Sequence, residues 1–418
     1  MNNMNKTLLI TYPYKDSIDE AVALAEAAGY KVVSIVTQRY LTKSKYGIGS
    51  GKLMEVKSIV DSLKPDAVIF DEVLKPTQEY NLASTLKVEI IDRERLILNI
   101  FERRASTAES RIQVKLAQLR YEMARAREKV RLAKKGEQPG FYGLGRYEVD
   151  DYYRDVKRRI STLKSKLESV AKRRALYRRQ RSREGLATIS LAGYTSAGKT
   201  TLFNALTREQ HEAGRGMFTT LSTYTRAISI DGSKYLLSDT VGFISKLPAY
   251  MIEAFRSTLE ELTFSDLVIL VIDASESIEN MKKKYESSMS ILNELQVPES
   301  KIIYAFNKID LLSNEDEVYA KVRCLGLDSS LRDDTSMDRM ARYIAISAKT
   351  GKNIEMLLGM IRRFTGEGYS KVVGVREDGA ERINEGRDTG RREYDEDDEV
   401  MNILRFDLDE DSGAQDRT

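Results

Sequence analysis

Short apolar runs recur through the first quarter of the chain, at Thr7 to Ile10, Lys31 to Val36, Ala67 to Phe70 and Val88 to Ile91. Stretches with helical spacing, such as Ile18 to Ala28 and Leu53 to Leu63, separate them. That alternation predicts an α/β domain over residues 1–100. The pattern then changes. Ile112, Leu116, Leu119, Met123, Ala126, Val130 and Ala133 step alternately by 4 and 3, and Val156, Ile160, Leu163, Leu167 and Val170 repeat the step. Such seams predict two coiled helices folded back as an antiparallel hairpin over 101–184. Strand-like runs return at Ala187 to Ala192, Tyr235 to Ser238, Ile302 to Phe306 and Tyr343 to Ile346, so a second α/β domain is expected over 185–366. Beyond it, 367–418 is charged and Gly-rich, with Tyr394-Asp395-Glu396-Asp397-Asp398-Glu399 at its extreme, the composition of a largely disordered tail.

Charge sharpens this division. The 418 residues carry a net charge of only +3, but residues 93–184 hold 27 Lys and Arg against 12 Asp and Glu, whereas residues 371–418 hold 8 against 16. The hairpin is a polycation, and the cellular polyanion it suits best is nucleic acid. Its tip, about Lys134 to Val149, sets Gly136, Pro139, Gly140, Gly143 and Gly145 beside Phe141, Tyr142, Arg146 and Tyr147. Arginines and aromatics on a glycine-flexible tip fit phosphates and unstacked RNA bases, the rival reading being a solvated helical face with a flexible turn. Basic clusters at Lys172-Arg173-Arg174 and Arg178-Arg179-Gln180-Arg181 close the hairpin. One cysteine, Cys324, excludes an internal disulfide and fits a reducing compartment. No run approaches the roughly 18 apolar residues of a membrane span, and the start lacks a signal-peptide pattern, so a soluble cytoplasmic protein is expected. With His211 as the single histidine, zinc sites and Ser-His-Asp chemistry are set aside.

The chemistry concentrates in the second α/β region. Gly193-Tyr194-Thr195-Ser196-Ala197-Gly198-Lys199-Thr200 follows an apolar run and precedes the helix-like Thr201 to Thr207, the order of a phosphate-binding loop. In such a loop backbone N–H groups turn onto phosphates, Lys199 brings a cation to the terminal ones, and the Thr200 hydroxyl can ligate Mg²⁺. Asn307-Lys308-Ile309-Asp310 sits where a buried strand delivers its loop. A carboxylate at Asp310 can accept two N–H bonds from guanine, whereas adenine would leave it unpaired, so GTP and GDP are favoured over ATP. Ser347-Ala348-Lys349, after the next strand-like run, is placed to back the base. Between these lie two expected switches. Phe218-Thr219-Thr220 would add the Thr220 hydroxyl to Mg²⁺, with Thr219 its rival, and Asp239-Thr240-Val241-Gly242 would hold the ion through Asp239 and meet the γ-phosphate with the Gly242 N–H. Lys199, Thr220 and Gly242 are the expected catalytic set.

Position 243 departs from the Ras-like pattern. A glutamine that orients the attacking water usually follows the switch glycine, and here it is Phe243. A phenyl ring cannot hold water, so either the ring packs away and another group positions the water, or the isolated protein is a slow enzyme awaiting a partner. Elsewhere, Gly47-Ile48-Gly49-Ser50-Gly51-Lys52 mimics a phosphate loop, but no apolar strand leads into it, and a glycine-rich turn before a helix is the better reading.

From near Tyr46 to about Gly366 the chain resembles the HflX family of ribosome-associated GTPases, in its archaeal branch. The resemblance rests on Gly49-Ser-Gly-Lys-Leu-Met-Glu, Phe70-Asp-Glu, Val88-Glu-Ile-Ile-Asp-Arg, Val114-Lys-Leu-Ala-Gln-Leu-Arg-Tyr, Asp239-Thr-Val-Gly-Phe-Ile and Ala254-Phe-Arg-Ser-Thr-Leu-Glu-Glu. It implies an N-terminal HflX-type α/β domain with a helical hairpin and then a Ras-like P-loop GTPase domain, mostly parallel sheet with helices on both faces. It also implies binding to the large ribosomal subunit and its ribosomal RNA, and in several members splitting or rescue of whole ribosomes. Two features depart from the family. Ser196 stands where the phosphate loop commonly carries asparagine, and an acidic tail replaces the bacterial C-terminal domain. The resulting expectation is a monomeric, Mg²⁺-dependent GTPase that docks on ribosomal RNA, with no DNA partner. An RNA-binding assembly factor with little turnover, or a GTPase docking on a protein partner, are the alternatives.

Overall fold

The computed structural model describes residues 5–43, 45–135, 146–183, 185–208, 224–314, 316–327 and 342–366. The first region alternates β1 (Asn5–Thr11), α1 (Lys15–Ala27), β2 (Tyr30–Thr37), α2 (Ser50–Leu63), β3 (Ala67–Phe70), α3 (Pro76–Leu86) and β4 (Glu89–Asp92). The strands form one parallel sheet in the order β2-β1-β3-β4. β3 is buried at every position, as a continuous apolar run covered on both faces must be. β4 passes directly into α4 (Arg93–Arg104), whose start is fixed by the Asp92 carboxylate accepting from the Arg95 N–H at 2.9 Å.

The hairpin consists of α5 (Ala108–Lys135) and α6 (Arg146–Arg183). Ile112, Leu116 and Leu119 on α5 and Val156 and Ile160 on α6 are buried, as the heptad steps require. Gln113, Val114 and Ala117 are buried as well, because α5 also packs against α3 and α4. One face meets α6 and another the rest of the molecule, so the base of the hairpin is built into the protein. The tip, 136–145, lies outside the described residues, as do the side chains of Arg146 and Tyr147.

The second sheet holds β5 (Ala187–Gly193), β6 (Tyr224–Ile230), β7 (Ser233–Asp239), β8 (Leu267–Asp273), β9 (Ile302–Asn307) and β10 (Tyr343–Ala345). Their order is β10-β9-β8-β5-β7-β6, parallel except for the β6–β7 pair. Around it stand α7 (Lys199–Thr207), α8 (Ala249–Ala254), α9 (Arg256–Phe264), α10 (Ile278–Glu294), α11 (Asp316–Cys324) and α12 (Ile354–Thr365). One apolar core runs without a break from Leu9 and Leu24 of the first region through Phe101 and Leu116 to Met251, Phe255 and Leu270 of the second. At the junction the Phe101 and Phe255 rings meet edge to face, centroids 4.7 Å apart. No helix among the described residues is long and apolar enough to cross a membrane.

Candidate functional site

β5 ends at Gly193 and α7 begins at Lys199, so the predicted phosphate loop is the turn between a central strand and the helix it feeds. Gly198 has φ +96°, and a Cβ there would stand 2.3 Å from the Asn307 Nδ2, so only glycine fits. Lys199 folds back over the loop. Its Nζ donates to the Gly193 and Tyr194 carbonyls, each at 2.9 Å. The side chain is buried, which pulls its pKa down from 10.5 to about 8 even though Asp239 acts to raise it. Thr200 and Thr201 occupy the first turn of α7. Ser196 is exposed at the loop's crest, while Ala197 is buried beneath it.

The other sequence elements converge on this loop. The Thr200 hydroxyl donates to the Asp239 carboxylate at 2.9 Å, so α7 and the end of β7 bring two hard oxygen donors to one point. Among the described residues no three His, Cys, Asp or Glu side chains are grouped so that they could hold a metal ion. One carboxylate and one hydroxyl beside a phosphate is the donor set that suits Mg²⁺, which keeps most of its shell as water and phosphate oxygen. Thr240 and Val241 are buried, and the Thr240 hydroxyl donates to the Leu191 carbonyl at 2.6 Å, tying the switch strand to β5. Asn307 is a strut. Its Nδ2 donates to the Ala197 carbonyl and its Oδ1 accepts from the Ala348 N–H, both at 2.9 Å. The Ser347 hydroxyl donates to Asp310 at 2.6 Å, and Lys308 pairs with Asp273 at 2.5 Å. Asp310 and Lys349 are exposed on the same rim. Phe218, Thr219, Thr220 and His211 lie outside the described residues.

Phe243 packs inward. It is 2 % exposed, and its backbone is stitched to the loop: its N–H donates to Gly193 O at 3.0 Å, and its carbonyl accepts from Thr195 N–H at 2.8 Å. This bridge presses Gly242 onto the loop, where an added Cβ would lie 3.2 Å from Lys199 Nζ.

Sequence reasoning missed how the first region grips this site. The Tyr194 hydroxyl accepts from the Ser245 N–H at 2.8 Å and donates to Glu20 at 3.2 Å, and the Ser245 hydroxyl donates to Glu20 at 3.0 Å. Buried Arg93 pairs with Asp71 at 2.5 Å and with Glu20, and donates to the Ser245 hydroxyl at 3.0 Å. Burial and the Glu20 carboxylate push the Tyr194 phenol well above its ordinary value, so it stays protonated. Farther along, Arg120 of α5 forks onto Glu253 of α8 with two bonds of 2.6 Å, and Lys164 of α6 joins it at 3.2 Å. The fork holds the Glu253 carboxyl down to about 2. A signal was present, since Phe70-Asp-Glu and Val88-Glu-Ile-Ile-Asp-Arg both end in these charges.

A phosphate loop feeding a helix, a carboxylate-bearing strand beside it and an Asn-Lys-x-Asp turn on the same rim define a P-loop GTPase. Residues 188–308 match the family described as 50S ribosome-binding GTPase, 15–102 that described as GTP-binding GTPase N-terminal, and 104–181 that described as GTP-binding GTPase Middle Region. The chain is 44 % identical over 351 residues to the GTPase HflX of Methanocaldococcus jannaschii, covering 83 % of this chain and 82 % of the relative. Against the GTPase HflX of Escherichia coli it is 33 % identical, covering 84 % and 80 %. A crystal structure described as an SsGBP and GDP complex superposes with a TM-score of 0.50 at 30 % identity, over 88 % of this chain and all of that one. The chain therefore belongs to the HflX family of GTPases. It is a GTP-hydrolysing enzyme whose nucleotide is guanine-based.

Proposed function

We propose that this GTPase docks on the large ribosomal subunit through its N-terminal half and couples that docking to Mg²⁺-dependent GTP hydrolysis in the cytoplasm, serving ribosome splitting, rescue or quality control. Lys199 stabilises the transferred charge, and Thr200, Asp239 and Thr220 hold the ion, with Phe218 and Thr219 flanking the last. Gly242 meets the γ-phosphate, and Asp310 selects guanine with Asn307, Lys308 and Ser347 to Lys349 around it. Bound Mg²⁺ would neutralise charge on the β- and γ-phosphates.

The observation that carries the reading is the direct seating of the basic hairpin on the segment after the switch glycine. Arg120 and Lys164 grip Glu253, and Tyr194, Ser245, Glu20 and Arg93 close a second contact nearer the loop. A polyanion that moves the hairpin by even a small amount therefore acts on the elements that feel the γ-phosphate. Parts of the basic surface are already committed within the protein. Arg174 pairs with Glu109, and Arg178 lies 4.1 Å over the Phe264 ring, whereas Lys172 and Arg173 are exposed for outside contacts.

Cosedimentation with purified large subunits in GTP and GDP tests the reading. Binding is expected to depend on the nucleotide and to fall steeply as salt rises, because each phosphate contact releases counterions. Salt-independent binding, or undiminished binding after reversing Lys172 and Arg173, would move the docking surface elsewhere.

A further inference from the structure

Phe243 leaves a vacancy in the chemistry. Its ring is buried and cannot orient water, and its backbone N–H and carbonyl are already engaged in the bridge to Gly193 and Thr195. Some other polar group must stand at the γ-phosphate pole, which Lys199 Nζ and Gly242 mark. Thr195 borders that pole. A Cβ added to Gly242 would lie 2.9 Å from the Thr195 Cγ2. Thr195 is 4 % exposed, and its Oγ1 has no hydrogen-bond partner among the described residues. A buried hydroxyl with no bond keeps the cost of its lost hydration, so such a group calls for a partner from outside the protein.

A second unpartnered oxygen shares its surroundings. Thr195 lines a cleft of about 300 Å³, partly open to solvent, together with Tyr194, Asp273, Glu276, Lys284 and Tyr285. Glu276 pairs with Lys284 through Oε1, while its buried Oε2 has no partner among the described residues. Lys284 in turn lies 5.1 Å from the centre of the Tyr194 ring, which fixes it to the loop. The lining is mostly apolar, with Ala197, Val271, Ile272 and Met281 around these polar groups, and the cleft has room for water beside them. A carboxylate oxygen can only accept, whereas a hydroxyl both donates and accepts, so a file of waters running from one to the other has its orientation set.

We propose that Thr195 and Glu276 are the residues that position the attacking water in this enzyme, replacing the glutamine that Phe243 displaces. The Thr195 hydroxyl holds the attacking water against the γ-phosphate, and Glu276 anchors a water behind it. In the reaction the water oxygen bonds to the γ phosphorus as the bond to the β,γ-bridging oxygen breaks, its electron pair leaving with GDP. The water's proton passes to a γ-phosphate oxygen, so Thr195 and Glu276 orient without changing charge.

The proposal rests on Gly193 to Thr200 being the phosphate loop, and single-turnover hydrolysis by the full chain, measured beside GTP and GDP affinities, separates the two. Thr195→Val keeps the shape and removes the hydroxyl, and it should slow turnover about tenfold or more while both affinities stay within about twofold. Thr195→Ser should retain most of the rate. Glu276→Gln, which leaves the loop untouched, should slow turnover about threefold or more, again without loss of affinity. A wild-type rate in Thr195→Val or Glu276→Gln would overturn the proposal. So would an equal loss in Thr195→Ser, since the methyl packed on Gly242 would then be what matters. Loss of GDP binding in both Thr195 variants would also overturn it, giving Thr195 a part in binding, whereas unaltered GTP and GDP affinity in Lys199→Ala would instead overturn the loop assignment on which the proposal stands.

Discussion

Two glycine-rich turns in this chain precede a lysine and open a helix, and they are built for different ends. In Gly193 to Thr200, β5 runs straight into the turn, and Lys199 is buried with its ammonium held inward by the loop's own carbonyls. In Gly47 to Lys52, β2 has ended ten residues earlier at Thr37, and the turn is closed by a bridge between Lys43 and Gly47. The Gly49 N–H donates to Gln38 Oε1 at 3.1 Å, and Lys52 points along its helix to Glu55 at 2.8 Å. The second turn thus spends its donors and its cation on its own neighbours. A phosphate loop differs from a look-alike less in its glycines than in where its lysine is kept.

The sharpest way to break this comparison is to remove each lysine. Lys199→Ala should weaken GTP binding by about a hundredfold or more, because a buried cation facing phosphate contributes on the order of 3 kcal/mol. Lys52→Ala should leave it unchanged. Equilibrium titration with a fluorescent GTP analogue checks both, and equal losses would make the two turns equivalent.

The next largest effect sits on the far rim of the same site. Asp310→Asn should shift preference from GTP toward xanthosine triphosphate by about a hundredfold, since the new amide donates to the 2-oxo group of xanthine and no longer accepts from guanine. Competition between the two nucleotides measures the shift. Unaltered GTP preference would place guanine recognition elsewhere than Asp310.

Both turns could be told apart from the sequence, and the reason is local. A strand, glycine turn and helix start are contiguous features, so the apolar run Ala187 to Ala192 and the spacing to Lys199 carry the answer within fourteen residues. The positions of Asn307 and Asp239 were legible in the same way, as ends of buried strands, but the bonds from Asn307 to Ala197 and Ala348 were not. What could not be read were the contacts that join distant segments. Nothing near Tyr194 announces that its hydroxyl reaches Glu20, and nothing in the heptads of α5 announces that Arg120 grips Glu253. Those bonds depend on how the two sheets are set against each other through Phe101 and Phe255, a packing outcome without a periodic signature. The motifs carrying the family resemblance held a trace of it, since Asp71, Arg93 and Phe255 all lie in them and all end at this junction.

A smaller effect follows from burial of the first lysine. With its pKa lowered to about 8, Lys199 is protonated in the free protein below that pH, and bound phosphate favours the protonated form. Binding is therefore indifferent to pH below about 8 and must take up a proton above it. GTP affinity should fall about tenfold between pH 7 and pH 9. Stability of the free protein moves the other way. The unfolded chain binds more protons between about 8 and 10.5, so the contribution of Lys199 rises with pH across that window. Calorimetry at pH 8.5 in two buffers of different ionisation enthalpy should reveal the proton taken up, and buffer-independent heats would show that Lys199 is not the titrating group.

The second turn should give the smallest response. Lys52 and Glu55 form an i,i+3 pair on α2 whose side chains keep 30 % and 49 % of their surface in water. Such a pair contributes about 0.3 kcal/mol after solvent screening, so Lys52→Ala and Glu55→Ala should each shift the denaturation midpoint by an amount near the limit of measurement. The turn itself is held by other groups, the Lys43–Gly47 bridge and buried Ile48, which neither substitution touches. Inorganic phosphate then sharpens the contrast. It should raise the thermal midpoint of Lys52→Ala by as much as that of the unsubstituted protein, because the anion acts at Gly193 to Thr200 alone. A phosphate-dependent gain that disappears in Lys52→Ala and survives in Lys199→Ala would assign the anion to the first region and reverse the roles of the two turns.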